Sequence, residues 1–132
     1  IIQALQMLAE MSDGPAEAVD AFCQYYIKEM AAARFDRGCP LAPVTLEAAA
    51  QVDEIQAACA SGFERMTEVF ANLIQAHGVP RKRARPLAVF AISAIEGALI
   101  LCRARRSTRP LQDVRREVTS SLVAALKEGE SQ

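Results

Sequence analysis

The chain has 132 residues, a formal net charge of −1, 52% hydrophobic residues and only 5% aromatic residues. This length fits one domain with a single core, and abundant Ala, Leu, Glu and Arg favour helices, so we predict an all-α protein. A pI near 5.9 and basic clusters without interleaved aromatic residues argue against a nucleic-acid-binding domain.

The first half of the chain predicts two helical segments separated by a clear break. Residues 1–11 have the apolar spacing of the last turns of a helix, and a second helix is predicted over 14–36. Asp13 is predicted to cap this second helix. Gly38 fits the left-handed position after a helix, and Pro40 prevents the helix from continuing.

The second half predicts longer helices. A short helix is expected over 43–51, followed by a long one over 52–77. An apolar helix begins near residues 81–85 and ends near Arg106. The last helix covers about 109–128, and residues 130–132 form a tail. The prediction is therefore five helices after a leading segment, with two long helices last.

The penultimate helix is the most informative element of the sequence. Between Arg85 and Arg103, only Ser93 and Glu96 have polar side chains. This stretch is shorter than the roughly 20 apolar residues of a membrane span, so no membrane partner is expected. A helix that is apolar all round must be covered on all sides. Its own domain can cover one face, and a second copy of the chain is expected to cover the other.

Charge is distributed unevenly along the chain. Residues 1–80 contain four Lys/Arg and eleven Asp/Glu, whereas residues 81–132 contain eleven Lys/Arg and five Asp/Glu. We favour two halves of one bundle that attract each other. The alternative is an anion site, for which the candidates are Arg81, Lys82, Arg83 and Arg85.

The sequence offers no catalytic or metal-binding constellation. No two of the four cysteines have the spacing of metal ligands, and His77 is the only histidine, so neither a metal nor a cofactor is expected. His77 is predicted to be a capping or surface histidine at the end of a helix. Nucleophile and phosphate-loop motifs are missing from the sequence, so we predict that the protein is not an enzyme. Cysteines within apolar helical patterns indicate a reducing, cytoplasmic compartment.

Two aromatic and methionine stripes and one carboxylate are candidates for a ligand site. Such stripes are more often plain core, but they would line any internal cavity. Glu96 is either satisfied by a structural partner or serves as the polar anchor of a cavity. The predicted ligand-binding residues are Phe22, Tyr25, Tyr26, Met30, Phe63, Met66, Phe70, Phe90 and Glu96.

Two stretches of the sequence resemble a known family. Residues 35–41 contain the turn Gly38-Cys39-Pro40, and residues 96–106 lead into the pair Pro110-Leu111. Together they resemble the C-terminal domains of TetR-type transcriptional repressors, most closely the subgroup that regulates multidrug-efflux genes. The resemblance extends over residues 1–128 in the order and length of the helices.

The resemblance implies a five-to-six-helix ligand-binding bundle that forms a homodimer and binds a hydrophobic or amphipathic effector. Residues 1–11 would be the end of the helix that connects to a helix-turn-helix domain, and residues 12–132 the sensor and dimerisation domain. Operator DNA would be bound only through that N-terminal domain, which this sequence does not include. The last two helices would form a four-helix dimer interface through Leu87, Ala91, Ala94, Ala98, Leu101, Val114, Val118 and Leu122. The alternative function is a dimerisation module without a small-molecule ligand.

Overall fold

The computed structural model describes residues 1–131, which form six α-helices and no strand. The prediction of an all-α bundle is therefore confirmed for this part of the chain. Gln132, the end of the predicted tail, lies outside the described residues. The helices are α1 Ile2–Met11, α2 Pro15–Ala32, α3 Leu41–Glu47, α4 Asp53–Ala76, α5 Arg81–Arg105 and α6 Arg109–Glu130.

The turn after α2 differs from the prediction. The helix ends at Ala32, four residues early, because Arg34 and Phe35 have positive φ angles of 50° and 63°. Gly38 does not adopt the left-handed conformation, so that prediction is wrong. A left-handed non-glycine residue costs roughly 1–2 kcal/mol. Phe35 offsets part of this cost, since its ring packs against the core and its N–H donates to the Met30 carbonyl at 2.8 Å.

The corner between α1 and α2 is held by His77. Gly14, rather than Asp13, is the N-cap residue of α2, so the predicted Asp13 cap is wrong. His77 is the C-cap residue of α4, as predicted, and its Nδ1 lies 2.9 Å from the Leu73 carbonyl. Its Nε2 lies 3.1 Å from the Asp13 carbonyl, so the same ring joins the end of α4 to the corner.

The core lies between α2, α4, α5 and α6. The Phe22 ring meets Tyr26 and Phe70 edge to face, with centroid distances of 5.1 Å and 6.0 Å. Edge-to-face packing at these distances is typical of a filled aromatic core. The largest fully buried side chains in this region include Phe22, Phe70, Leu5, Met30, Met66, Ile74, Ile95 and Leu111.

Helix α5 is apolar on two opposite faces. The helix is long and apolar enough to cross a membrane, but the core helices of soluble proteins can have the same length and apolar composition. Its inner face packs against α4 and α6. The opposite side, which we name the outer face of α5, is exposed and consists of Pro86, Val89, Phe90, Ser93, Gly97, Ile100, Leu101 and Ala104.

The predicted dimer interface does not coincide with this outer face. Of its eight residues, only Leu101 is exposed. The alanine side of α5 faces the chain's own core, so Ala94 and Ala98 do not point outward. The residues of the predicted interface buried within one copy are Ala91, Ala98, Val118 and Leu122, and those partly buried against the core are Leu87, Ala94 and Val114.

Ion pairs join the acidic and basic halves of the chain, as predicted. Arg85 lies 2.6 Å from Glu68 and 2.8 Å from Glu64, and Arg81 lies 3.0 Å from Glu68. Arg83 pairs with Glu128 at 2.9 Å. Three arginines of the suspected anion site therefore already face carboxylates. Because these pairs are solvent-accessible, they stabilise the fold only weakly, and their main effect is to align α5 with its neighbours.

Two methionines provide a matched test of the core. Met66 is 1% exposed, whereas Met7 is 55% exposed. We expect Met66→Ala to lower the free energy of unfolding by about 2–5 kcal/mol, since it removes buried methylenes and leaves a cavity. Met7→Ala should change it by no more than about 0.5 kcal/mol. Urea denaturation of both variants measures the difference, and equal losses would contradict the described core.

Candidate functional site

The turn between α2 and α3 brings three polar side chains together inside the bundle. Tyr26 comes from α2, Cys39 from the turn itself and Glu96 from the middle of α5. The thiol of Cys39 faces the Tyr26 hydroxyl on one side and the Glu96 carboxyl on the other. Tyr26 and Cys39 are almost fully buried, at 4% and 5% exposure, and Glu96 is partly buried.

Two oxygen atoms of this group are unsatisfied. Tyr26 Oη and Glu96 Oε2 are buried and have no hydrogen-bond partner of ordinary geometry among residues 1–131. An unsatisfied buried polar atom costs about 1–3 kcal/mol, and native proteins contain few of them. A thiol is too weak a donor and acceptor to remove this cost. The arrangement therefore favours any molecule that supplies partners to these two oxygens.

The environment disfavours the charged forms of all three groups. Burial raises the pKa of Cys39 to about 11, and the neighbouring Glu96 carboxyl adds to the shift. Burial also raises the pKa of Tyr26. It raises the pKa of Glu96 as well, and the contact with the Cys39 thiol lowers that pKa by a smaller amount. A protonated thiol is a poor nucleophile. The group is therefore suited to hydrogen bonding rather than to covalent chemistry.

Two cavities flank the turn. The first, which we name the tyrosine cavity, has a volume of about 150 Å³. The second, the Glu96 cavity, has a volume of about 140 Å³. The tyrosine cavity is lined by Ile1, Tyr25, Tyr26, Glu29, Met30, Arg37, Gly38 and Pro40. The Glu96 cavity is lined by Gly38, Cys39, Ala42, Pro43, Leu46, Glu96, Leu99, Ile100 and Arg103.

The structure separates the predicted ligand-binding residues into three groups. Those that line the tyrosine cavity are Tyr25, Tyr26 and Met30, and Glu96 lines the other cavity. Those that pack in or against the core without lining either cavity are Phe22, Phe63, Met66 and Phe70. Phe90 is 47% exposed on the outer face of α5, so its assignment to the same cavity is wrong.

Sequence reasoning missed Cys39 as a site residue, together with the arginines at the two rims, Arg37 and Arg103. The signal for Cys39 was present, because the turn Gly38-Cys39-Pro40 already stood out as a motif. The contacts that make Cys39 part of a site link positions far apart in the chain, and periodicity within one helix carries no information about them. Arg103 lies in the last turn of α5, where a cation is generally favourable, so its position alone does not indicate a site.

The lining of both cavities combines apolar walls with a few polar atoms, which is the usual composition of a small-molecule site. Residues 1–131 include no group of three His, Cys, Asp or Glu side chains placed to hold a metal ion. The shape and lining of the two cavities are those of a candidate site for a small amphipathic molecule.

The helical bundle and its turn define the class of protein, which is the C-terminal domain of a TetR-type transcriptional regulator. Residues 15–117 match the family described as "Transcriptional regulator LmrA/YxaF-like, C-terminal domain", and the chain belongs to this family. It is also 36% identical, over 122 residues, to HTH-type transcriptional regulators of two Mycobacterium tuberculosis strains, CDC 1551 and H37Rv, both described as uncharacterised. The aligned region is 89% of this chain and spans 63% of the length of each relative.

The raised pKa of Glu96 predicts a pH-dependent effect of Glu96→Gln. Because burial raises the pKa of Glu96 above its ordinary value of 4.5, the folded state holds this proton more tightly than the unfolded state. Wild-type stability therefore falls as the pH rises from 4.5 through the folded pKa, and the glutamine variant escapes this loss. We expect Glu96→Gln to gain Tm at neutral pH, by about 4 °C for each kcal/mol regained, and to gain nothing below pH 4.5.

Thermal denaturation between pH 4 and pH 8 (roughly the range over which a buried carboxyl titrates) measures this difference. Glu10→Gln, at an exposed position of α1, controls for the loss of one negative charge. A gain for Glu96→Gln that is the same at every pH would contradict the assigned protonation.

Proposed function

We propose that the chain is the effector-binding and dimerisation part of a ligand-responsive transcriptional repressor. The effector is a small hydrophobic or amphipathic molecule that binds beside the turn Gly38-Cys39-Pro40. A helix-turn-helix domain elsewhere in the whole protein would contact operator DNA, and the protein would work in the cytoplasm. Membership in a family of transcriptional regulators supports the regulatory role.

One observation carries the effector proposal. Tyr26 Oη and Glu96 Oε2 are buried without partners among residues 1–131, and each residue lines one of the two cavities that flank the turn. An unpaired polar atom inside a plain core only destabilises the fold. Next to a cavity, the same atom orients a ligand and contributes binding energy when it gains a partner.

The position of α1 supports a path from the effector to DNA. Ile1, at the start of α1, lines the tyrosine cavity together with Tyr25 and Tyr26. A molecule in that cavity would therefore contact α1 directly. If α1 continues into a DNA-binding domain, an effector that prefers one position of α1 shifts the whole protein toward that position.

The outer face of α5 supports dimerisation. A Cβ atom added to Gly97 would meet no atom within 4 Å among the described residues, so the chain's own packing does not require a glycine there. A mid-helix glycine costs about 1 kcal/mol relative to alanine. Close approach of a second copy would account for it. The face also exposes large apolar side chains, including Phe90, Ile100 and Leu101 on α5, and α6 exposes Val123.

A second candidate function is a dimerisation module without an effector. The filled core favours it, because Met66 and Phe70 are buried and line neither cavity beside the turn. The two candidates differ in one measurable property, which is saturable binding of small molecules.

Binding can be tested with a panel of monocyclic aromatic amides, alcohols, amines and acids that fit about 150 Å³. We expect at least one to raise Tm in a saturable way, since ligands that bind the folded state stabilise it. Tyr26→Phe should weaken a compound that binds in the tyrosine cavity about tenfold, the value of roughly one hydrogen bond. Glu96→Gln should weaken a compound that binds in the Glu96 cavity by about the same factor.

Met7→Ala, at an exposed position on α1 that lines neither cavity, is the control and should bind like the wild type. Saturable binding that neither site variant weakens would show that the effector binds at another site. No saturable binding across the panel would favour the dimerisation module.

Gly97→Ala tests the dimer proposal. In a single copy the added methyl group meets open space. At concentrations where the monomer dominates, the free energy of unfolding of the variant should therefore be about 1 kcal/mol higher than that of the wild type. In a dimer the same methyl group separates the two helices, and we expect at least about tenfold weaker association by analytical ultracentrifugation. An unchanged dissociation constant would exclude Gly97 from the interface.

A further inference from the structure

The Glu96 cavity opens beside the outer face of α5. Ile100 belongs to both, because it is 55% exposed on that face and also lines the cavity. Leu46, on the α3 side of the cavity, is 75% exposed. The mouth of the cavity therefore lies between α3 and the edge of the outer face.

Helix geometry fixes how close the two features are. Glu96, Leu99 and Arg103 line the cavity. Gly97 follows Glu96 directly, and the rotation of 100° per residue places it on the outer face, whereas Ile100 lies at the edge that the cavity and the outer face share. Packed helices lie only 8–10 Å apart, so a helix seated on the outer face is within the reach of a side chain from Ile100 and the mouth.

A second copy of this chain is the occupant that the outer face fits best. The centre of the face is made of the small residues Ser93, Gly97 and Ala104, and larger apolar side chains flank them. A two-fold interface requires a surface that is complementary to itself, and a strip of small residues beside bulky ones meets that requirement. The open space above Gly97 points to a close approach from outside the copy described.

We propose that the second copy of the chain covers the mouth of the Glu96 cavity, so that the effector site is complete only in the dimer. This inference rests on the proposed effector site and dimer. A molecule in the cavity then touches both copies, and its binding strengthens dimerisation by the same factor by which dimerisation strengthens its binding.

The thiol of Cys39 provides a probe that needs no effector. Cys39 lines the Glu96 cavity and is 5% exposed, whereas Cys23 and Cys102 are 0% exposed in the core. The wild-type chain is treated with methyl methanethiosulfonate, and modification of each cysteine is followed by peptide mass spectrometry. Concentrations are chosen below and above the dimer dissociation constant measured by sedimentation. We expect Cys39 to react at least about tenfold more slowly in the dimer, because the partner blocks the mouth.

Cys23 and Cys102 serve as internal controls for opening of the core. Their rates report unfolding, so the ratio of the Cys39 rate to theirs isolates access through the mouth. A fall in all three rates by the same factor would show that dimerisation only suppresses unfolding, and this would overturn the inference.

Two charge variants sharpen the test. Gly97→Glu places a carboxylate on the outer face without touching the cavity lining, and it should give monomers with rapid Cys39 modification at every concentration. Met11→Glu adds the same charge at an exposed position of α1, far along the chain from that face, and should behave like the wild type.

The possible outcomes distinguish this inference from the two proposals on which it rests, the effector site and the dimer. A wild-type dimer in which Cys39 reacts as fast as in the monomer overturns the covered mouth but leaves the effector site intact. A wild-type monomer at all concentrations overturns the dimer and the inference together. Protection of Cys39 in a dimer that binds nothing from the compound panel supports the covered mouth and overturns only the effector.

Discussion

The structure depends on how helix α5 is covered. The helix has apolar side chains around its whole circumference, and an uncovered apolar face is costly in water. Helices α4 and α6 cover the inner face, where Ile95 and Leu99 are almost fully buried. Arginines near the start of α5 pair with carboxylates of α4 and set the alignment. The outer face receives no cover from the described residues, and this exposed apolar surface is the physical basis of the proposed dimer.

The turn between α2 and α3 concentrates unfavourable features in one place. Arg34 and Phe35 occupy left-handed conformations, and five residues later Cys39 lies between two unsatisfied oxygen atoms. Backbone strain and unpaired polar groups persist in native proteins only where the surrounding packing enforces them, and they cluster at functional sites. Here the Phe35 ring, packed against the core, holds the turn in position. The same turn separates the two cavities, so any movement of it would change both.

The sequence predicted the helices well and their mutual orientation poorly. Periodicity and the turn residues identified each helix, and the start of α6 at Arg109 was correct. A helix that is apolar all round has no polar face to mark its outside, so the inner alanines and the outer Phe90 could not be told apart. The same ambiguity placed Ala98 in the dimer interface. Residue-by-residue propensity also could not foresee that Arg34, rather than Gly38, would take a left-handed conformation.

Glu96 was predictable as a site residue for a simple reason. A single carboxyl in a long apolar helix must have a partner, a ligand or a proton, and each alternative marks the position as special. Tyr26 was less clearly predictable, because its hydroxyl needs a partner whereas its ring fits an ordinary core. The chemistry of Cys39 did not indicate a site, since a buried cysteine behaves as a small hydrophobic residue. Only the fold shows that these three side chains meet.

The size of the cavities limits what an effector can do. A volume of about 150 Å³ admits a molecule of about ten non-hydrogen atoms, and the best small ligands gain at most about 1.5 kcal/mol per atom. Regulation needs only the difference in affinity between two states, typically about 1–3 kcal/mol. A hydrogen bond to Tyr26 in one cavity, or to Glu96 in the other, would supply that difference, because it relieves a cost that a state with a displaced turn would not have. A small effector is therefore sufficient, provided that its polar groups, rather than its apolar body, distinguish the two states.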